Sequence, residues 1–175
     1  MRIEEFAQLF GSFQRSAFRL ETLTEYRVDD EQETFRLFLQ GKPLPPHQPS
    51  EWVRLVQDAV AAGKTMERVH VVPSLLTPYL RFEIEWGYLH SVEAGERVYL
   101  LAADASDPVW DLATEDFWLF DDDVAVVMDY DDQGGFLRPL AVEDPDKVKE
   151  YCGVREQLLS VAVPLEQHLA GARTA

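Results

Sequence analysis

A chain of 175 residues with 46% hydrophobic content and a mean hydropathy of -0.22 has enough apolar material for one folded domain with its own core. Its formal net charge of -16 makes its overall field repel nucleic acid and anionic membrane surfaces, so direct binding of either is not expected. A single cysteine, Cys152, excludes an internal disulfide and a cysteine-based zinc site.

Residues 2–11 place Ile3, Phe6, Leu9 and Phe10 on one face at helical spacing. The run Ala17 to Leu23 alternates, with Phe18, Leu20 and Thr22 opposite Arg19 and Glu21, and predicts a strand. Asp29 or Asp30 is expected to cap a helix that ends at Gln40 and stops at Gly41. Pro43, Pro45, Pro46 and Pro49 then forbid helix and sheet interior across 42–49, which reads as a linker or rigid arm inside a single domain spanning 1–170. Residues 171–175 are expected to be a disordered tail.

Ser50 caps a predicted helix, Glu51 to Ala62, with Trp52, Leu55, Val56, Ala59 and Val60 as its buried stripe. Met66 to Val72 is a β-branched strand interleaved by Arg68 and His70. Residues 77–90 carry two periodicities at once. Tyr79, Phe82, Trp86 and Leu89 share a helical face, while Leu80, Phe82, Ile84, Trp86 and Tyr88 also alternate. Thr77-Pro78 is a helix start, and a crossover of this length before the strand Arg97 to Leu101 completes a βαβ unit, so helix is the reading taken. Phe117–Phe120, Val124–Asp129 and Phe136–Val142 read as strands joined by turns at 121–123 and 131–135, and Asp144-Pro145 opens a closing helix that holds Cys152 as a small core residue. Together these elements predict an α/β fold with a mixed central sheet flanked by helices.

Several candidate chemistries fail on spacing. Asp129, Asp131, Gln133 and Gly134 occupy positions one, three, five and six of a calcium loop, but its twelfth position is Leu140, so a hairpin turn and no metal site is expected. The histidines His47, His70, His90 and His168 show no H-x-H, H-E-x-x-H or H-x-K spacing, and no G-x-S-x-G, P-loop or dinucleotide fingerprint is present, so no cofactor is expected. Cation and acid do cluster. Arg15, Arg19, Arg27 and Arg36 form a candidate basic patch, and Asp116 to Asp132 is acidic throughout. Apolar positions nearly surround the 77–90 helix, which puts Glu83 between buried faces and calls for a partner such as Arg68 or Arg19. The aromatic strand Phe117-Trp118-Leu119-Phe120 is buried on both faces or presents a surface to a partner.

Phe10-Gly11-Ser12-Phe13, Ser16 to Glu21, Arg68 to Val72, Leu76 to Glu83 with Ala94-Gly95-Glu96, and Asp116 to Asp121 together resemble an actinobacterial domain-of-unknown-function family, 6879, over nearly the whole chain. The resemblance implies context and no activity: members are commonly encoded beside helix-turn-helix regulators and small partner proteins. A fainter similarity is to a degenerate half of a phospholipase D-like domain, through Gly63 to Val72, Ala94 to Leu101 and Phe117 to Met128. That superfamily carries H-x-K near the position of Asp116-Phe117-Trp118, so this resemblance implies lost nuclease or lipase chemistry and a cleft that at most binds a ligand.

The leading expectation is a non-catalytic regulatory or accessory module binding a small anionic or aromatic ligand, or a protein partner such as a helix-turn-helix regulator. Its ligand-binding residues are expected to be Arg19, Arg68, Tyr79, Arg81, Glu83 and Trp118. One rival is an enzyme using Glu83 or Asp116 as acid–base with arginine clamps. Another is an acidic protein that sequesters a basic DNA-binding regulator by charge. The acidic start Met1-Arg2-Ile3-Glu4-Glu5 and the lack of a run of about 20 apolar residues make the cytoplasm the expected compartment, with no membrane partner.

Overall fold

The computed structural model describes residues 1–46, 50–103 and 107–172. At its centre lies β1 (Ser16–Glu21), preceded by the helix α1 (Ile3–Ser12). A 3-10 turn at Asp29–Glu31 leads into α2 (Gln32–Leu39), and α3 (Glu51–Ala61) follows the proline-rich segment. β2 (Thr65–Val72) lies parallel to β1, and β3 (Arg97–Ala102) lies parallel to β2. On the other side of β1 run β4 (Phe117–Phe120), β5 (Val124–Tyr130) and β6 (Phe136–Val142), an antiparallel meander. The long helix α6 (Pro145–Val161) follows, and the short β7 (Val163–Pro164) then pairs antiparallel with β3. Among the described residues the strands form one sheet in the order β6-β5-β4-β1-β2-β3-β7.

The segment with two periodicities is helical. Thr77 Oγ1 accepts from Leu80 N at 3.1 Å, Pro78 opens α4 (Pro78–Phe82), and α5 (Tyr88–Ala94) ends it at Gly95, whose φ of 107° reverses the chain toward β3. Between α4 and α5, Glu83–Gly87 forms a π-helical turn. Such bulges inside α-helices are frequent at functional sites.

The sheet is covered on both faces. On one, Phe18, Leu20, Val69, Val71, Phe117 and Leu119 pack under Val148 and Leu158 of α6. On the other, Ala17, Met66, Trp118 and Phe120 meet α1 and α3, while Val72, Val98 and Leu100 meet α4, α5 and Leu165 of the last helix, α7 (Leu165–Ala172). Phe117 to Phe120 are therefore all buried, and no aromatic strand face is left for a partner.

Arg19 and Glu21 are both buried, because helices pack on the side of β1 opposite Phe18 and Leu20 as well. Three local expectations are corrected. Neither Asp29 nor Asp30 caps α2; both lie inside the 3-10 turn that precedes it, and no side chain caps either element. In α3 the buried stripe is Val53, Val56 and Ala59, and Val60 is exposed. Cys152 is half-buried, its Sγ 3.7 Å from the Asp122 carbonyl, a position at the core's margin. At the C-terminus helix continues through Ala172, into the segment expected to be disordered, whereas 173–175 and, in the proline-rich segment, 47–49 lie outside the described residues.

Candidate functional site

Parallel pairing of β1 with β2 sets Arg19 opposite Arg68 and Glu21 opposite His70, on the face under α3, α4 and α5. Like charges directly opposite repel, so the arrangement needs acid between them. Glu21 supplies it. Its Oε1 is 2.5 Å from Arg68 Nη1 and 3.6 Å from Arg19 Nε. Glu96, placed by the Gly95 reversal, takes Arg68 Nε at 3.0 Å and the Trp52 indole N–H at 3.2 Å. Asp116, at the mouth of β4, takes Arg19 Nη2 at 2.7 Å. Its remaining capacity is filled by Tyr26 hydroxyl at 2.6 Å, Thr22 hydroxyl at 2.7 Å and Thr22 N–H at 2.8 Å.

His70 extends the network. Its Nε2 is 2.9 Å from the Leu23 carbonyl, which only accepts, so this nitrogen carries hydrogen. Its Nδ1 is 2.6 Å from the Tyr88 hydroxyl, which donates to Glu21 Oε2 at 2.9 Å. Burial pushes the imidazole down from its ordinary value, against the upward pull of the Glu21 carboxylate. For Glu21 the balance is reversed. Burial would raise it, but Arg68, then Arg19 and His70, hold it down at about 2. Both guanidinium groups stay charged despite burial, Arg19 through Asp116 and Arg68 through Glu21 and Glu96.

Beside this network opens a cavity of about 480 Å³. Trp52, Trp86, Trp118 and Tyr88 wall it, Leu44, Pro45 and Pro46 form its rim, and Arg68, Glu31 and Glu83 line its polar part. The latter three also line a smaller polar cavity of about 210 Å³ with Glu21, Tyr26 and Tyr79, so they separate the two spaces. Glu83 is 7% exposed, and its Oε1 is buried without a hydrogen-bond partner. It sits over Gly87 of the π turn, where any Cβ would come within 2.4 Å of that oxygen. Burial, then the nearby carboxylates of Glu31 and Glu21, push Glu83 well above the ordinary carboxylate range. Glu31 is raised too, chiefly by burial, while Tyr79 hydroxyl donates to it at 3.1 Å.

Among the expected ligand residues, Arg68, Glu83 and Trp118 line the large cavity, and Tyr79 joins Arg68 and Glu83 at the small one. Arg19 lies behind them, its guanidinium carbon 5.7 Å from the Trp118 ring centroid. Arg81 does not belong. It is exposed on the outer face of α4 and pairs with Glu85 at 3.1 Å. Nor does Glu83 find the arginine partner its burial called for, because Arg68 is occupied by Glu21 and Glu96 and Arg19 by Asp116 and Glu21. Arg15, Arg27 and Arg36 make no basic patch; each pairs separately, with Asp123, Asp131 and Glu33.

Sequence reasoning missed Glu21, Glu31, Glu96, His70 and Trp52 as parts of the site. The signal for Glu21 and His70 was the two-residue period of β1 and β2, which puts them on the same face as Arg19 and Arg68. The 131–135 segment is a turn that follows the end of β5. Asp131 Oδ1 accepts from the N–H groups of Gln133 at 2.9 Å and Gly135 at 2.7 Å, and Asp129 pairs with Arg138 at 2.9 Å. Among the described residues no three histidine, cysteine or carboxylate side chains gather in a metal-binding group, and no helix is long and apolar enough to cross a membrane.

None of the curated proteins compared with the chain matches it. A family model, described as a domain of unknown function (DUF6879), does match, over residues 4–170, which takes in every strand of the sheet and all the residues of the network and cleft. By that match the chain belongs to the DUF6879 family.

Proposed function

We propose that this protein is a non-catalytic regulatory or accessory module whose cleft binds a flat, largely aromatic small molecule. The observation that carries this reading is the cavity of about 480 Å³ walled by three tryptophans and Tyr88 over a fixed bed of ion pairs. Binding pockets of roughly 300–1,000 Å³ combine apolar walls with a few placed polar groups, as here. Catalysis by the other constellation is disfavoured by saturation. Asp116 accepts from four donors and has no proton-transfer role left to play. Both buried arginines are neutralised by carboxylates, so neither is available as an electrophilic clamp or as the main attraction for an anion.

A screen of aromatic metabolites by thermal shift and tryptophan fluorescence tests the proposal. Compounds that raise Tm by several degrees and quench fluorescence are expected, with both effects lost in Thr34→Trp, which fills the cavity from α2 without touching the network. Full retention of the effects in that variant, or no stabilising compound at all, overturns it. The acid–base enzyme reading keeps one supporting observation, the raised Glu83 carboxyl at the cavity. It predicts turnover that Glu83→Gln abolishes without loss of binding.

A further inference from the structure

Resting on the cleft reading, we infer that the occupant carries a positive charge on a flat apolar body and that Glu83 releases a proton when it binds. The polar groups around Glu83 make the case. They are Glu21 from β1, Arg68 from β2, Tyr26 and Arg27 from the loop after β1, Asp30 and Glu31 from the 3-10 turn, Tyr130 from β5, and Tyr79, Tyr88 and His90 from its own helical segment. The two permanent cations among them are already bonded, Arg68 to Glu21 and Glu96 and Arg27 to Asp131. That leaves Asp30, Glu31 and Glu83 as acids of the larger cavity's wall without a salt bridge among the described residues.

Glu83 is the decisive group. A carboxyl this buried with an orphan oxygen has lost hydration that its surroundings replace only in part. The π turn places it over Gly87, and Arg68 and Arg19 are ion-paired to other carboxylates. Burial and the adjacent Glu31 and Glu21 favour the protonated form of Glu83. An ammonium or amidinium entering between the tryptophans supplies the missing counter-charge. The Glu83 O–H bond then breaks, its proton passes to solvent, and the carboxylate pairs with the ligand. The indole rings accommodate the cation's delocalised face. The chain's net charge of -16 raises the local concentration of such cations.

The test compares three isosteric probes, benzamidine, neutral benzamide and anionic benzoate, by calorimetric titration of the full chain between pH 6 and 8. Buffers of different ionisation enthalpy count the protons. Benzamidine is expected to bind at least about tenfold tighter than benzamide, to release close to one proton, and to tighten by up to about tenfold per pH unit. Benzoate is expected not to bind. In Glu83→Gln the proton release disappears and benzamidine loses its advantage over benzamide. The proton count on the native protein decides the matter even if that variant fails to fold. Benzamidine and benzamide binding equally, with no proton released, overturns the charge inference and leaves the aromatic cleft standing. Silence from all three at millimolar concentration overturns both.

Discussion

Arg19 and Arg68 face each other on neighbouring parallel strands and share one carboxylate oxygen, Glu21 Oε1, at 3.6 and 2.5 Å. Two buried cations in register are tolerable only with acid between and around them, and Glu96 and Asp116 complete that enclosure from two further elements. The network therefore ties β1 to β2, to the α5–β3 turn and to the start of β4.

Glu21→Gln is expected to cost about 3–5 kcal/mol, since it strands both guanidinium groups without their common counter-ion. Urea unfolding followed by tryptophan fluorescence measures it. A loss below about 1 kcal/mol would show that Glu96 and Asp116 suffice to hold both cations.

Asp116→Asn keeps the shape and removes the charge and half of the acceptor capacity. Four donors converge on Asp116, so a loss of about 2–4 kcal/mol is expected. Tyr26→Phe deletes one of those donors and is expected to cost less. The two changes together should cost less than their sum, because they interrupt one shared contact.

Stability should depend on pH with opposite signs for two glutamates. Glu21 is held at about 2, below its unfolded value of 4.5, so its contribution is complete above that value and is lost as pH falls toward 2. Glu83 is raised, so above pH 4.5 the unfolded chain ionises it while the folded protein keeps its proton. Stability then declines as pH rises from 4.5 toward the folded value of Glu83. Urea midpoints between pH 3 and 8 should show Glu21→Gln flattening the acidic limb and Glu83→Gln flattening the decline on the neutral side.

Gly87→Ala should be destabilising for a reason unconnected with backbone strain. Gly87 has a helical φ of -59°, but an added Cβ meets Glu83 Oε1 at 2.4 Å. In a Glu83→Ala background the clash is gone, and Gly87→Ala should become stabilising by up to about 1 kcal/mol through helix propensity. Thermal denaturation of the four proteins of this cycle checks the reversal. Unchanged sign in the second background would place the cost elsewhere.

Local pattern was enough for most elements because their signals are short-range. Ser50, Thr77 and Asp144 bond the N–H groups two or three residues ahead, as cap residues do. Strand and helix periods in 65–72 and 51–61 are properties of neighbours along the chain. The choice of helix for 78–94 also followed from local chemistry, the Thr77-Pro78 start and the Gly95 reversal. The π turn did not, and within it the Glu83 carboxyl lies over Gly87.

What the sequence by itself determined is the class of the fold, the positions of its strands and helices, and the presence of charged residues inside hydrophobic segments. Tertiary structure alone decided which charges meet. Arg19 and Asp116 are 97 positions apart, Arg68 and Glu21 are 47 apart, and both pairs arise from strand order and register. Arg81 and Glu83 differ by two positions, yet one is solvated and the other is enclosed. A helix turns about 100° per residue, so two steps along it carry a side chain from one face to nearly the opposite one. Whether either face meets water or protein is set by the sheet beneath it.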